Sequence, residues 1–512
     1  MSQPATLTWF ARHEFGLAWR DWVAMVTAGK RMRKPVVALA IAVFAGLIHL
    51  LAYAVIAPAA ADGIVPDKAT LVVVTGGGLL VWSLMLSQAM ESVTRAFYAR
   101  ADLDLILSSP ASERRVFAIR MSAIAASTML LAMLLAGPFV NVLTLLDGAR
   151  WLAAYGVLAA LGAVSAALAI ALTIVLFRTL GPKRTRLIAQ IVAAVVGAAF
   201  AIGLQAAAIL SYGDFSRFAM FRSDRLVAAA PDAGSALWWP ARAAMGDPAA
   251  LALVLGASLL LLLLVIRQFA PRFGEHVIAA SGVGWEAKQT RPRAAGFRAA
   301  TTRQALRRKE WALLRRDPWL VSQSLMQLLY LLPPALLLWR NYGDDIAALA
   351  ILVPVLAMAS GQLAGGLAWL AVSGEDAPDL VATAPIAAGQ IIRAKIEAVL
   401  AAVALVVAPI LTALALAAPR TALVAALGIT AAAGSATLVQ IWFRAQAKRS
   451  NFRRRQTSSR IATFAEAACS ILWAATAGIA AAGSWLAVAP GLLALLALGV
   501  VRLIRPRPVD MA

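Results

Sequence analysis

The sequence predicts an all-α integral membrane protein of about twelve transmembrane helices, arranged as two tandem six-helix repeats with cytoplasmic termini. Three observations lead to this prediction: the composition, a series of apolar stretches, and a set of repeated motifs. Of the 512 residues, 62% are hydrophobic and 14% are charged, and the mean hydropathy is +0.79. Because soluble domains carry about 25% charged residues, this composition excludes an ordinary soluble globule.

Twelve apolar stretches are long enough to cross a hydrocarbon core as helices, which takes roughly 20 residues each. They cover residues 35–57, 69–92, 116–146, 151–177, 187–211, 249–266, 319–339, 346–372, 391–418, 421–443, 461–481 and 486–501. If both termini are cytoplasmic, 39 of the 47 Lys and Arg residues lie on the inner side, as the positive-inside rule expects. The net charge of +22 therefore reflects topology and contact with anionic lipid, and we expect no nucleic-acid partner.

Short motifs recur in the same order in both halves of the chain. The motif Glu14-x-x-Leu17-x-x-Arg20-Asp21 returns 296 positions later as Glu310-x-x-Leu313-x-x-Arg316-Asp317. The motif Asp104-Leu105-x-x-x-x-Pro110, followed by Arg120, returns 275 positions later as Asp379-Leu380-x-x-x-x-Pro385, followed by Lys395. A weaker match relates Phe177-Arg178 and Lys183-Arg184 to Phe443-Arg444 and Lys448-Arg449. Colinear repetition of this kind indicates a duplicated unit.

The duplication divides the chain into three predicted segments. Residues 1–269 form a first six-helix repeat with an amphipathic N-terminal helix, and residues 303–512 form a second with an equivalent connecting helix. Residues 270–302 contain Gly, Pro and Arg without helical periodicity, which predicts a cytoplasmic linker.

An amphipathic, charged stretch precedes the first span of each half, at Phe10–Val26 and Ala305–Pro318. Its apolar residues recur near helical spacing, as in a helix lying in the membrane interface. Such a helix either anchors the first span or fixes a contact to a partner or to the next cytoplasmic loop. The candidate residues for the contact are Glu14, Arg20, Asp21, Glu310, Arg316 and Asp317.

The loop between the second and third spans carries the other repeated motif, within residues 93–115 and 373–390. Asp104 and Asp379 can cap a short helix, and Pro110 and Pro385 can begin or break one. The motif therefore predicts either a short helix held across the membrane surface or an ordinary polar loop with a proline turn.

These segments resemble the type-2 permease subunits of ATP-binding-cassette exporters, with two six-helix subunits fused in one chain. The resemblance rests on residues 104–115 and 379–386, because family members have a similar Leu-rich, Ser-Pro or Ala-Pro stretch in this loop. In that family the loop forms a coupling helix that sits in a groove of the ATPase, and an amphipathic connecting helix precedes the first span. The coupling residues that the resemblance implies are Asp104, Leu105, Pro110, Glu113, Arg114, Asp379, Leu380 and Pro385.

The resemblance implies a permease subunit of an exporter in the cell (inner) membrane, working by alternating access. One chain would supply both transmembrane halves, and two copies of a separate cytoplasmic ATPase would carry the ATP and Mg. The chain itself is not expected to be an enzyme, because Gly29-Lys30 and Gly181-Pro182-Lys183 lack the spacing of a nucleotide-binding loop. An ion-coupled secondary transporter and a non-transporting membrane scaffold are the alternatives.

The sequence predicts no cofactor or metal on this chain, since its single cysteine and three histidines are scattered. Three acidic residues near span ends, Glu91, Glu397 and Glu466, are expected to pair with Arg95, Arg393 and Arg460. The Gly361-x-x-x-Gly365 motif predicts close helix packing. The outer segment 212–248, with its Trp238-Trp239-Pro240 sequence, forms either a re-entrant gate helix or an interfacial cap.

Overall fold

A computed structural model of the chain describes residues 34–61, 63–98, 112–212, 224–272, 301–316, 346–373, 383–443 and 460–504, with a few isolated positions elsewhere. The described residues are almost entirely helical and contain no strand. They belong to two compact units: residues 1–208 with 215–288, and residues 209–214 with 289–512. The division between residues 288 and 289 falls inside the predicted linker, residues 270–302.

The first half of the chain contributes long helices and two short ones. In chain order the helices are α1 (Lys34–Ala60), α2 (Lys68–Tyr98), α3 (Glu113–Asp147), α4 (Ala153–Tyr212), α5 (Asp224–Ala229), α6 (Trp239–Ala244) and α7 (Pro248–Phe269). Single 3₁₀ turns lie at Ala149–Leu152, Ala236–Trp238 and Ala270–Arg272.

The second half of the chain contributes six helices within its described residues. Its helices are α8 (Thr302–Arg316), α9 (Ile346–Ser373), α10 (Ala388–Ala417), α11 (Pro419–Phe443), α12 (Arg460–Ala481) and α13 (Val488–Leu503), with a 3₁₀ turn at Trp485–Ala487.

Ten helical segments among the described residues are long and apolar enough to cross a membrane. They coincide with ten of the twelve predicted stretches, which confirms a multi-pass, all-α membrane protein. Helix α1 coincides with the first predicted stretch, and its described apolar part is Ala45–Ala60. The predicted stretch 319–339 lies outside the described residues apart from isolated positions. The tandem repeat and the side of the termini remain predictions.

Helix α4 contains two predicted spans, joined where the sequence predicts a cytoplasmic loop at residues 178–186. Helical structure continues to both sides of Gly181, the residue with a non-helical backbone (φ 71°, ψ 168°). This left-handed φ is accessible to glycine at little cost because glycine has no Cβ. The candidate spans Ala149–Gly181 and Leu187–Ala206 therefore meet at a single glycine break, a tighter connection than the charge pattern indicates.

The core of the second unit is built by close contact of α9, α11 and α12. A Cβ added at Gly361 or Gly365 of α9 would clash with Ser470 or Glu466 of α12, respectively. A Cβ added at Gly428 of α11 would lie 2.5 Å from the Ala477 Cβ. The predicted packing role of Gly361-x-x-x-Gly365 is thus confirmed, since small residues let helix backbones approach closely.

The described part of the predicted outer segment, residues 224–248, forms a compact cap. Trp238 is buried beside Leu71, Trp151 and Met245, and its indole N–H donates to the Asp232 carbonyl at 3.0 Å. Helix α6 has six residues and rises only about 9 Å, much too short to enter a bilayer deeply. Between the two predicted alternatives for this segment, the described residues favour the interfacial cap.

The same serine-capped turn lies just before the last span of each half. The Ser235 hydroxyl accepts from the Leu237 N–H at 3.4 Å, and the Ser484 hydroxyl accepts from the Leu486 N–H at 3.3 Å. Each serine follows a glycine and caps a 3₁₀ turn, so the local sequence Gly-Ser-x-Leu forms the same turn twice.

We expect Gly428→Ala to destabilise the second unit, because Ala477 belongs to the facing helix and relief of the clash requires a backbone shift. Overpacking of this kind costs about 1–3 kcal/mol. The matched control is Gly434→Ala on the same helix, where an added Cβ meets no atom within 4 Å. Thermal unfolding of both variants in detergent micelles is the measurement, and equal midpoints would contradict the packing argument.

Candidate functional site

Helix α8 begins with a capping box that the sequence analysis did not recognise. The Thr301 hydroxyl accepts from the Gln304 N–H, and the Gln304 side chain accepts from the Thr301 N–H, both at 3.3 Å. This reciprocal pair satisfies two backbone donors that a helix start leaves without partners. The predicted amphipathic connecting helix, Ala305–Pro318, is therefore present as Thr302–Arg316.

One face of α8 is buried, and a carboxylate lies in its centre. Leu306 and Leu314 are 8% and 2% exposed, while Glu310, at the position between them on the same face, is 0% exposed. Residues four apart stack on one side of a helix, so these three side chains form a single stripe. An isolated buried carboxylate is strongly unfavourable, so a partner for Glu310 is required.

Lys395 of α10 is that partner. Its ammonium group lies 3.1 Å and 3.2 Å from the two carboxylate oxygens of Glu310. The same ammonium donates to the Ala371 carbonyl near the end of α9 at 2.5 Å. Lys309 approaches the Glu310 carboxylate at 3.3 Å from its own helix. Removal of one partner from a buried ion pair costs about 3–5 kcal/mol, because the other charge stays buried.

A second, exposed ion pair lies beside the first. Glu397 of α10 accepts from Arg303 at 2.7 Å and from Arg307 at 2.5 Å. The hydrogen bond to Glu397 raises the pKa of Arg307, and the opposite charge adds to this. The sequence-based prediction of Arg393 as the partner of Glu397 is wrong, since α8 brings two guanidinium groups to this carboxylate and Arg393 is exposed. Sequence spacing within one helix cannot reveal a partner from another helix.

We call these six side chains, which join α8 to α10 and α9, the Lys395 cluster. Its members are Arg303, Arg307, Lys309, Glu310, Lys395 and Glu397. The sequence offered one signal for it: Glu310 and Lys395 belong to two different repeated motifs, which the fold brings into contact.

The remaining predicted site residues are divided between described and undescribed parts of the chain. Glu113 and Arg114 are exposed in the first turn of α3, and Pro385 is exposed in a bend just before α10. Arg316 is the last residue of α8. The predicted residues that lie outside the described part are Glu14, Arg20, Asp21, Asp104, Leu105, Pro110, Asp317, Asp379 and Leu380.

The first unit has a buried base at the repeat position of Lys395. Arg120 of α3 is 3% exposed and lies beside the buried side chains of Phe117 and Met121. A buried guanidinium group, like the Lys395 ammonium, is tolerated only with polar or charged partners. The acid that matches Glu310 in the repeat is Glu14.

Three further polar contacts join apolar helices. Glu466 of α12 is 4% exposed and accepts from the Gln440 amide of α11 at 2.6 Å. Its predicted partner Arg460 has a side chain outside the described part. In the first unit, Asn141 contacts the His49 Nε2 at 3.2 Å and accepts from the Tyr155 hydroxyl at 2.7 Å.

The predicted pair Glu91–Arg95 is confirmed, with a distance of 3.4 Å between half-exposed side chains. Within the described residues no group of three or more His, Cys, Asp and Glu side chains could hold a metal ion. The Lys395 cluster consists of ion pairs and hydrogen bonds between helices, so its role is to hold α8 to α9 and α10.

Comparison of the chain with protein-family models, with curated proteins and with solved structures gave no match.

The repeat predicts an acid–base pair in the first half, because Glu14 and Arg120 match Glu310 and Lys395. In a double-mutant cycle of Glu14→Gln and Arg120→Met, we expect a coupling energy of about 0.5–3 kcal/mol. Thermal unfolding in micelles is the measurement. The matched control replaces the exposed Arg114 of the same helix with Met, and its effect should add to that of Glu14→Gln. Additive effects in both cycles would exclude the pair.

Proposed function

We propose that the chain is the transmembrane permease subunit of an ATP-binding-cassette exporter. The observation that carries the proposal is the joining of the two repeated motifs in the second unit. The connecting helix α8 is bound through Glu310 to Lys395, the base that follows the proline of the repeated loop. The pair fixes α8 to the helix that begins directly after the repeated loop, an attachment through which a permease can receive force from a partner at that loop.

The same proposal assigns a partner to the loop. Thr383, Pro385 and Ala387 are exposed just before α10, so a soluble protein can reach this stretch. A separate ATPase, in two copies, would bind ATP and Mg and contact both loops from the cytoplasm. Its closure on ATP would drive the alternating access that the resemblance implies, as in other rigid-body switches.

Replacement of both loops, residues 104–110 and 379–385, with Gly-Ser sequences of equal length should release the ATPase. The wild-type protein is purified from its native membrane in mild detergent, and the co-purified ATPase is identified by mass spectrometry and by ATP hydrolysis. The control replaces Arg420, which is exposed in the first turn of α11, with Gln. Retention of the ATPase with full coupling after both replacements would refute the assigned contact sites.

An ion-coupled carrier is the second candidate, and Glu466 is the observation that favours it. A buried carboxyl group within a span is a frequent site of proton or ion coupling in transporters. Its close contact with Gly365 and its bond to Gln440 are equally suited to helix packing.

Glu466→Gln separates these two functions. In a carrier, the variant should lose uptake driven by an ion gradient in proteoliposomes without ATP, while Glu91→Gln, at a half-exposed span end, keeps it. In an exporter powered by an ATPase, the wild-type protein should show no gradient-driven uptake. Uptake by the wild type that disappears in Glu466→Gln would replace our proposal with the carrier.

A further inference from the structure

Lys395, on α10, contacts two other helices of the second unit, α9 and α8. Helices α9 and α10 flank the loop that precedes the lysine, residues 374–387. Its own helix begins at Ala388, seven residues earlier, which is about 10 Å along the helix axis. Ala371, whose carbonyl it contacts, lies two residues before the end of α9. Glu310, its ion-pair partner, belongs to α8. The lysine therefore ties both ends of the loop to the connecting helix.

We propose that Lys395 is the positioning residue through which displacement of this loop is passed to α8. The role of the loop as an ATPase contact rests on the proposed function. The attachment of α8 by the Lys395 cluster does not rest on the proposed function, because its contacts lie within this chain alone.

The arrangement of charges on α8 supports a fixed attachment. Arg303, Arg307 and Glu310 are spaced by four and three residues, so they lie on one side of the helix. Both arginines reach Glu397 and the glutamate reaches Lys395, so α8 is held to α10 at two points. Two attachments along one stripe oppose both sliding of α8 and rotation about its axis.

The burial of the inner pair argues against a role in stability alone. A buried ion pair is often no more stabilising than apolar side chains of the same volume, because both charges lose their hydration. Apolar contacts are not directional, whereas hydrogen bonds are. An ammonium group has three donors, and here they are donated to two carboxylate oxygens and one carbonyl oxygen. The pair thus defines how α8, α9 and α10 are aligned.

The alignment can be measured without any partner. Arg308 is exposed on α8, and Gly389 is exposed at the start of α10, where an added Cβ meets no atom within 4 Å. Spin labels on Arg308→Cys and Gly389→Cys, in a Cys469→Ala background, report the distance between the two helices by pulsed electron paramagnetic resonance in lipid nanodiscs. We expect a narrow distance distribution for this reference protein.

Lys395→Met should broaden that distribution, and Lys395→Arg, which keeps the charge and several donors, should largely restore it. Arg393→Met is the matched control, since it removes an exposed positive charge two residues away. The double variant Glu310→Leu with Lys395→Met leaves no buried unpaired charge. If the single variant does not fold, the double variant is measured in its place, and it should also give a broad distance distribution.

ATP hydrolysis by the bound ATPase provides the second readout. Lys395→Met should cause a loss of its stimulation by the permease, and Arg393→Met should not. Narrow distributions in both Lys395→Met and the double variant would overturn the inference. If the wild-type protein recruits no ATPase, the proposed function fails instead. The distance measurement still tests whether Lys395 fixes α8 to α10.

Discussion

In hydrocarbon, a backbone N–H or C=O group without a partner costs several kcal/mol, so each span must satisfy its own backbone as a helix. This constraint explains why the described residues are helical even where proline interrupts the hydrogen-bond ladder, as at Pro138, Pro354 and Pro409. Lipid tails are as apolar as leucine, so burial of leucine cannot pull two spans together. Association therefore depends on close packing and on a few polar contacts.

The second unit shows both close helix packing and polar contacts between helices. Glycines on α9 and α11 bring α12 close enough that Glu466 and Ser470 pack directly against α9. The carboxyl group of Glu466 also accepts a hydrogen bond from the amide of Gln440 on a third helix, α11. Towards the loop between α9 and α10 the contacts become ionic, with the buried Glu310–Lys395 pair and the exposed bonds to Glu397. The polar groups thus join helices that apolar contact alone would leave free to slide.

Hydropathy predicted the spans well because one physical term, transfer into hydrocarbon, dominates their placement. The contacts between helices depend on three-dimensional approach, which a linear pattern does not encode. The partner of Glu397 shows this: helical spacing favoured Arg393, whereas the fold brings Arg303 and Arg307 from a helix about 90 positions earlier. Lys395 was visible as the end of a repeated motif, yet its burial and its bond to Ala371 required the structure. The break at Gly181 was missed because the charges around it indicated a longer loop.

The same contacts sharpen the difference between the two halves. At the motif offsets of 296 and 275, Glu310 and Lys395 match Glu14 and Arg120, so the sequence predicts a second acid–base pair in the first half. Arg303, Arg307 and Glu397 match Leu7, Ala11 and Ser122, none of which is charged. The charged residues of the second attachment therefore have no counterpart at these offsets in the first half. With one attachment a helix can pivot about the ion pair, and with two it cannot. Under the proposed function, a push on the loop between α9 and α10 would therefore move α8 without a pivot about the Glu310–Lys395 pair.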